Sequence, residues 1–174
     1  MKDQYKLRSI MEDKSIPCGY LITFRTYGTW LHGDARGSVD RFHNRFGTPL
    51  LAPSERRRNH NIGLMKQAAV RLGSRARARV KKAICDACKL KEWGFWTTNV
   101  RTNHVHTVVS APCKPEKILA DFKANATREL REAGLWKSER SPWVARGSTR
   151  YLWTEADVMN AVMYVECEQG ESLP

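Results

Sequence analysis

Apolar and polar residues alternate between residues 18 and 26, and this alternation is the first clear pattern along the chain. In an extended chain, successive side chains point to opposite faces. One face takes Tyr20, Ile22 and Phe24, and the other takes Leu21, Thr23 and Arg25. The pattern predicts a β-strand with one buried face.

Two further extended segments predict a β-hairpin. They are residues 95–101 (FWTTNVR) and 104–110 (HVHTVVS), and only Thr102 and Asn103 separate them. Strands joined by so short a connection pair in the antiparallel direction.

Apolar residues also recur at the three- and four-residue spacing of an amphipathic helix. Residues 80–94 form one such segment, with Gly94 predicted as its C-cap. Residues 115–133 form a second, which begins with a proline suited to a first turn and stops before Gly134. Each of these segments predicts a helix with one buried side.

Two regions read as loops. Residues 28–53 are rich in Gly, Asp, Asn and Pro, which predicts an extended surface excursion. A second loop contains Pro142 and Gly147 and leads into a short strand predicted at residues 149–153 (TRYLW).

The order of elements predicts an α+β sandwich in which helices pack on an antiparallel sheet. A length of 174 residues favours one domain over the whole chain, residues 1–174. Residues 1–16 are interpreted as an N-terminal tail. Residues 54–79 are interpreted as a basic insertion, because ten Lys or Arg and one acidic residue fall between Glu55 and Lys82.

The formal net charge of +12 changes the picture, since such an excess attracts polyanions. Nucleic acid is the expected partner, and a membrane surface is the competing polyanion. The sequence offers no basic amphipathic helix with a clean apolar face, so no membrane partner is expected. The absence of a signal peptide pattern and the five scattered cysteines favour the cytoplasm, with association to the nucleoid through DNA.

A pair of histidines on the second hairpin strand is the first candidate for chemistry. Period-two geometry places His104 and His106 on one face of the strand. Neutral imidazole is a common ligand of divalent metal ions, so the pair is a candidate metal site. Two polar residues on a solvent-facing strand are also an ordinary structural feature, and the pair alone leaves both interpretations open.

The last helix is predicted to begin at Thr154, which has capping-box spacing to Asp157. Tyr164 lies beside its core stripe, and Glu168 lies one turn further along the same edge. A phenol that faces a metal ion is a plausible nucleophile toward a phosphodiester. A carboxylate one turn away would be a natural third ligand. The core stripe consists of Val158, Ala161, Val162 and Val165.

Four segments of the sequence, taken together, resemble the HUH single-tyrosine transposases, and among them the REP-associated tyrosine transposases. The similar segments are GYLITFRTYGTWLHGDARGSVDR, NVRTNHVH, RGSTRYLWTEAD and YVECEQGE. The resemblance implies a ferredoxin-like α+β fold with a central antiparallel sheet. It also implies cleavage of hairpin-containing single-stranded DNA through a 5′-phosphotyrosine intermediate, with Mg²⁺ or Mn²⁺.

Transferred to this chain, the resemblance implies that His104 and His106 are metal ligands and that Tyr164 is the catalytic nucleophile. The third ligand falls on Glu168, with Gln169 as a rival. Many relatives have Gln or Asn at this place, and the anionic Glu168 would bind a metal more tightly. Relatives include monomers and homodimers, so both states remain open for this chain.

Phosphate contacts have no sequence signature, because almost any Lys or Arg can make them. The candidates for DNA binding are Arg36, Arg41, Lys123, Arg146 and Arg150. Unpaired bases could stack on Trp30, Trp143 or Trp153, although burial in the core is the alternative for each.

The enzymatic interpretation has one alternative of a different class. In a non-catalytic, domesticated nucleic-acid-binding module of the same fold, the positive charge and the aromatic residues would bind DNA and Tyr164 would only pack. Other enzyme families with closely spaced histidines fit less well. Histidine-triad hydrolases continue the alternation with a third histidine, where this chain has Val108.

Overall fold

The central strand of the fold is β1, Gly19–Thr26. The computed structural model describes residues 16–38 and 49–167. Within β1, Tyr20, Ile22 and Phe24 are buried on one face of the sheet. The strand predicted from the alternation is therefore confirmed.

Four strands form one antiparallel sheet in the order β2-β3-β1-β4. Strand β1 pairs with β3 (His104–Ser110) on one side and with β4 (Trp143–Leu152) on the other, and β2 (Gly94–Val100) pairs with the far edge of β3. The predicted hairpin is confirmed as β2 and β3.

Within residues 16–38 and 49–167, four helices accompany the sheet, and they confirm the α+β class with a central antiparallel sheet. Helices α2 and α3 pack on each other and against one face, whereas α4 packs against the opposite face. The helices are α1 (Glu55–Gly63), α2 (Ser74–Leu90), α3 (Pro115–Glu132) and α4 (Glu155–Cys167).

The two faces of the sheet carry apolar clusters of different size. The side of α2 and α3 holds the larger one, which includes Phe24, Ile84 and Phe122. The α4 side holds a smaller cluster, which includes Val108 and Leu152. Because the smaller cluster covers only part of its face, polar side chains of β1 and β3 occupy the rest.

Strand β4 begins at Trp143 rather than at Thr149, and the loop predicted around Gly147 is wrong. A glycine at this position favours a turn, but Gly147 lies inside the strand and opposite Phe24. A Cβ atom at this position would lie 2.5 Å from the backbone oxygen of Thr23, so the glycine permits the close approach of the two strands.

Two helix predictions also need correction. Helix α1 was not predicted, because none of its residues is buried and it lacks an apolar stripe. Helix α2 ends at Leu90 with Lys91 as its C-cap, whereas Gly94 starts β2 and is not a cap. The chain reverses at Glu92, which takes a φ of 53°.

The remaining predictions of elements hold in the described part. Helix α3 matches the predicted segment, and Gly134 follows it with a φ of 69°. Residues 28–38 and 49–53 contain neither a helix nor a named strand, as the predicted excursion requires; residues 39–48 lie outside the description. No helix among the described residues is long and apolar enough to span a membrane.

A reciprocal capping box begins α4, as the sequence predicted. The backbone N–H of Asp157 donates to Thr154 Oγ1 at 3.1 Å, and the backbone N–H groups of Trp153 and Thr154 donate to Asp157 Oδ2. These bonds satisfy amide groups that a helix start leaves without partners. The box therefore fixes where α4 leaves β4.

We expect Thr154→Ala to lower the free energy of unfolding by about 1 kcal/mol, because the variant lacks the capping oxygen. Urea denaturation followed by circular dichroism measures the change. Thr154→Ser keeps the hydroxyl and is the matched control. An equal loss in both variants would show that the cap is not the cause.

Candidate active site at the histidine pair

His104 and His106 lie side by side on the face of β3 that α4 covers in part. Their ring centroids are 4.8 Å apart and their planes are inclined by 77°. His106 is buried, with 8% of its surface exposed, and His104 is half-buried. The strand therefore presents two imidazoles together at the margin of the smaller apolar cluster.

Each imidazole is held through Nδ1. Nδ1 of His106 lies 2.7 Å from the hydroxyl of Thr23, its partner across the β1–β3 ladder. Nδ1 of His104 lies 2.7 Å from Oδ1 of Asn103. Because an amide oxygen only accepts, Nδ1 of His104 is the donor in this bond, and in the neutral ring Nε2 has the lone pair. This arrangement is the one that orients a metal-binding histidine.

The surroundings of His106 favour the neutral ring. Burial is the largest of three causes, with the nearby His104 and Arg25, that together lower the pKa of His106 from 6.5 to about 4. At neutral pH the ring is therefore uncharged, which is the protonation state that can bind a metal ion.

Tyr164 lies on α4 next to the histidine pair. Its ring centroid is 5.7 Å from that of His106, and the planes are inclined by 82°. Helix α4 is fixed by its buried residues Val158, Ala161 and Val165. Its C-terminal end is also tied to β2, because Asn99 Nδ2 donates to the backbone oxygen of Val165 at 3.0 Å. The fold thus brings Tyr164 beside a histidine that lies 58 residues earlier in the sequence.

An open cavity of 490 Å³ lies at this place. Residues of strands β1, β3 and β4 and of helix α4 line this cavity. Arg25 and Arg150 share this lining with Tyr164 and His106. The cavity therefore combines a phenol, an imidazole, two guanidinium groups and the carboxylate of Asp157.

The candidate DNA-binding residues lie in different environments. Arg150 lines the cavity, and Arg146 is exposed on the same strand. Arg36 is exposed but pairs with Asp34, with 2.7 Å between Nε and Oδ1, and this guanidinium holds the pKa of Asp34 well below its usual range. Arg41, Glu168 and Gln169 lie outside the described residues.

Lys123 is a special case among these candidates. Its Nζ donates to the backbone oxygens of Val144, Ala145 and Arg146 at 2.9, 3.2 and 3.2 Å. Burial lowers the pKa of this ammonium group. Lys123 therefore ties α3 to β4, and a phosphate contact there would have to replace one of these bonds.

The three tryptophans considered for base stacking also differ. Trp143 is buried and packs edge-on against Phe24. Trp153 is exposed and stacks on Tyr151 with a centroid distance of 5.6 Å. Trp30 is half-buried beneath the guanidinium of Arg25.

Sequence reasoning did not assign the residues that position the site, namely Thr23, Asn99, Asn103 and Arg25. A signal existed for two of them, because the alternation in β1 places Thr23 and Arg25 on one face. The sequence did not reveal that this face pairs with the histidine strand. Asn99 needed the contact between β2 and α4, which joins residues far apart in the chain.

Among residues 16–38 and 49–167, no group of three or more His, Cys, Asp or Glu side chains gathers in a way that could hold a metal ion. The histidine pair supplies two nitrogen ligands. The residues named as a third ligand, Glu168 and Gln169, follow the last described residue, Cys167.

Comparison of the sequence with models of protein families places the chain in a known family. Residues 56–159, more than half of the chain, match the family model described as Transposase IS200 like. The chain belongs to this family. IS200-like transposases are the HUH single-tyrosine transposases, so the resemblance is confirmed at the level of the family. A comparison with curated protein sequences found no significant match.

The matched range of the IS200-like transposase model includes both histidines and ends before Tyr164. Members of the family are typically catalytic, generally use a divalent metal, and have DNA as their partner. The functions of individual residues in this transposase rest on the geometry of its own site.

We expect the stability of this transposase in a metal chelator to decrease as the pH falls from 6.5 toward about 4. In this window the unfolded His106 binds a proton that the folded His106 excludes, so protonation favours unfolding. Urea unfolding at a series of pH values measures the effect.

In the same experiment, His106→Asn should reduce the pH dependence, because the variant removes this titration. His60→Asn is the matched control, since His60 is exposed on α1. If His106→Asn and the wild type lost stability equally over this window, burial of a neutral His106 would not be the cause.

Proposed function

We propose that this IS200-like transposase cleaves and rejoins hairpin-containing single-stranded DNA through a covalent 5′-phosphotyrosine at Tyr164. The observation that carries the proposal is the 5.7 Å between the ring centroids of Tyr164 and His106 within one chain. The reaction belongs in the cytoplasm, at the nucleoid. A monomer or a homodimer can perform it, because Tyr164 and the histidines of one chain already adjoin.

In the cleavage step, the phenolic oxygen of Tyr164 attacks the phosphorus atom of the scissile phosphodiester. A bond forms between this oxygen and phosphorus, and the bond from phosphorus to the 3′ oxygen breaks. The phenol proton leaves to solvent, and the 3′ oxygen takes up a proton. In the rejoining step, a 3′ hydroxyl attacks the phosphotyrosine and releases Tyr164, which conserves the phosphodiester.

A divalent metal, Mg²⁺ or Mn²⁺, fits the donors of the site. His104 and His106 would hold it through Nε2, since Nδ1 of each ring already has a polar partner. Glu168 is proposed as the third ligand and Gln169 as its rival. When bound, such an ion polarises a phosphoryl oxygen and favours the attack by a phenolate.

Residues of the chain perform the other tasks. Thr23 and Asn103 orient the two imidazoles, and α4 holds Tyr164 beside them. Arg150 offers a cation to the DNA backbone inside the cavity. We retain Arg36, Arg41, Lys123 and Arg146 as further candidates for phosphate contacts, and the net charge of +12 supports a polyanionic partner.

We expect the wild-type protein to form a covalent adduct with labelled oligonucleotides that span the DNA on both sides of its coding sequence, in the presence of Mn²⁺. The adduct should survive a denaturing gel. Tyr164→Phe should form none but should bind the same DNA with nearly unchanged affinity, because it lacks only the nucleophilic oxygen.

Tyr151→Phe is the matched control for this loss, since Tyr151 is exposed and lies opposite Tyr20, on the α3 side of the sheet. An adduct that persists in Tyr164→Phe would mean that another residue is the nucleophile. DNA binding by the wild type with no adduct under any tested metal would instead favour a non-catalytic binding module.

We expect His104→Ala and His106→Ala to lower the affinity for Mn²⁺ and to reduce adduct formation by at least about tenfold, because each removes one ligand. Isothermal titration with Mn²⁺ and the adduct gel measure the two effects. His60→Ala, on the exposed helix α1, should behave as the wild type. Unchanged Mn²⁺ affinity in both site variants would exclude the histidines as ligands.

A further inference from the structure

Arg25 occupies a position in the cavity that the proposed roles do not yet explain. It lies on β1 directly opposite His104 in the ladder with β3, and its side chain lines the same cavity as Tyr164 and His106. The residue is half-buried, so part of it is shielded from water. A charged group in this place requires a reason.

The guanidinium of Arg25 is held in place by Trp30. Its central carbon lies 3.7 Å from the centroid of the Trp30 ring, and the indole N–H of Trp30 donates to the backbone oxygen of Gly37 at 2.7 Å. Stacking on an aromatic face uses the plane of the guanidinium and leaves the N–H donors at its edge for an acceptor. Trp30 thus orients the group without consuming those donors.

No ion pair joins Arg25 to a carboxylate among the residues that the structure describes. Asp157 lines the same cavity, but its Oδ2 accepts from the backbone N–H groups of Trp153 and Thr154 at the start of α4. Asp34, the nearest acid in the loop, pairs with Arg36, and Arg36 itself lies 4.6 Å from the Trp30 centroid. Burial and the neighbouring Arg36 both lower the pKa of Arg25. A partly desolvated cation that lacks a counterion is costly, so an anion from outside the described chain would stabilise it.

We propose that Arg25 is a further catalytic residue, which binds the non-bridging oxygens of the scissile phosphate through its guanidinium edge. The inference rests on the proposed function of this cavity and assigns one of its two arginines to the reacting group. A guanidinium fits two phosphate oxygens at once, and it stabilises the charge that develops on them as Tyr164 attacks.

Arg25 is better suited to this task than Arg150. Arg150 is exposed on the edge strand β4, so its side chain must be ordered when DNA binds. Arg25 is already fixed by Trp30 and by its central strand, and a preorganised donor stabilises a transition state more effectively. Arg150 is then left to contact the DNA backbone away from the scissile bond.

The first experiment compares rates of adduct formation in a single turnover, with Mn²⁺ and the oligonucleotides described above. Arg25→Gln should slow the reaction by about 100-fold, because one donor group to the developing charge is lost. Arg25→Lys should fall between this variant and the wild type, since it keeps the charge and loses the planar fork. Arg128→Gln, on the exposed face of α3 on the other side of the sheet, should match the wild type.

The second experiment measures binding without cleavage, in chelator and with Tyr164→Phe in every protein. Each oligonucleotide carries one neutral methylphosphonate, and the set covers every phosphate in turn. Arg25→Gln should weaken binding of the unmodified DNA by roughly tenfold. The difference in affinity between the proteins with and without Arg25→Gln should vanish for one modified oligonucleotide only. In that oligonucleotide, the methylphosphonate replaces the phosphate at which the wild type forms its adduct. A merely structural role of Arg25 would not produce such a position-specific result.

Two results would overturn the inference. One is adduct formation by Arg25→Gln at the wild-type rate. The other is a binding difference that persists with every methylphosphonate, or that vanishes only at a phosphate which is not cleaved. If Arg25→Gln fails to fold by circular dichroism, Arg25→Lys takes its place in both experiments.

The failure of the proposed function gives a different result. In that case the wild type and the Arg25 variants all form no adduct, and the binding experiment still decides on Arg25 alone. A single phosphate at which the difference vanishes then supports phosphate binding by Arg25, and the absence of any such phosphate overturns it.

Discussion

The antiparallel pairing of β1 with β3 is the constraint on which the rest of the site depends. This register sets Thr23 opposite His106 and Arg25 opposite His104. A shift by one residue would turn the polar side chains of β1 into the large apolar cluster and expose Ile22 and Phe24 on the opposite face. Apolar burial on the α2 and α3 side therefore fixes which polar groups meet the histidines on the other side.

The unequal clusters on the two faces of the sheet explain why a cavity exists. Two long helices pack on one face, and they bury the side chains of β1 and β3 there. Among the described residues, a single helix, α4, covers the other face, and its buried residues cluster with Val108 and Leu152 on the sheet, with Leu21 and Trp96 packed against them. The polar end of that face stays open beside Tyr164. Partial coverage also desolvates His106, which favours the neutral form of its ring.

Hydrogen bonds from distant parts of the chain hold the walls of the cavity. Lys123 joins α3 to β4 through three backbone oxygens, and Asn99 joins β2 to the end of α4. The capping box at Thr154 fixes the start of α4. An IS200-like transposase with this architecture has its histidines on the rigid centre of the sheet and its tyrosine on a helix attached at both ends, so the two can meet without a large movement.

The sequence by itself determined the elements whose side chains repeat with a clear period: β1, the β2–β3 hairpin, α3 and α4. It also determined that His104 and His106 share a face, since two-residue periodicity is local. Helix α1 could not be predicted from an apolar pattern, because none of its residues is buried. The first half of β4 could not be predicted either, because Gly147 favours a turn unless its close contact with Thr23 is known. Only the tertiary structure decided which faces meet. The pairing of Arg25 with His104, the stacking of Arg25 on Trp30 and the approach of Tyr164 to His106 depend on packing between distant segments, and no local pattern encodes that packing.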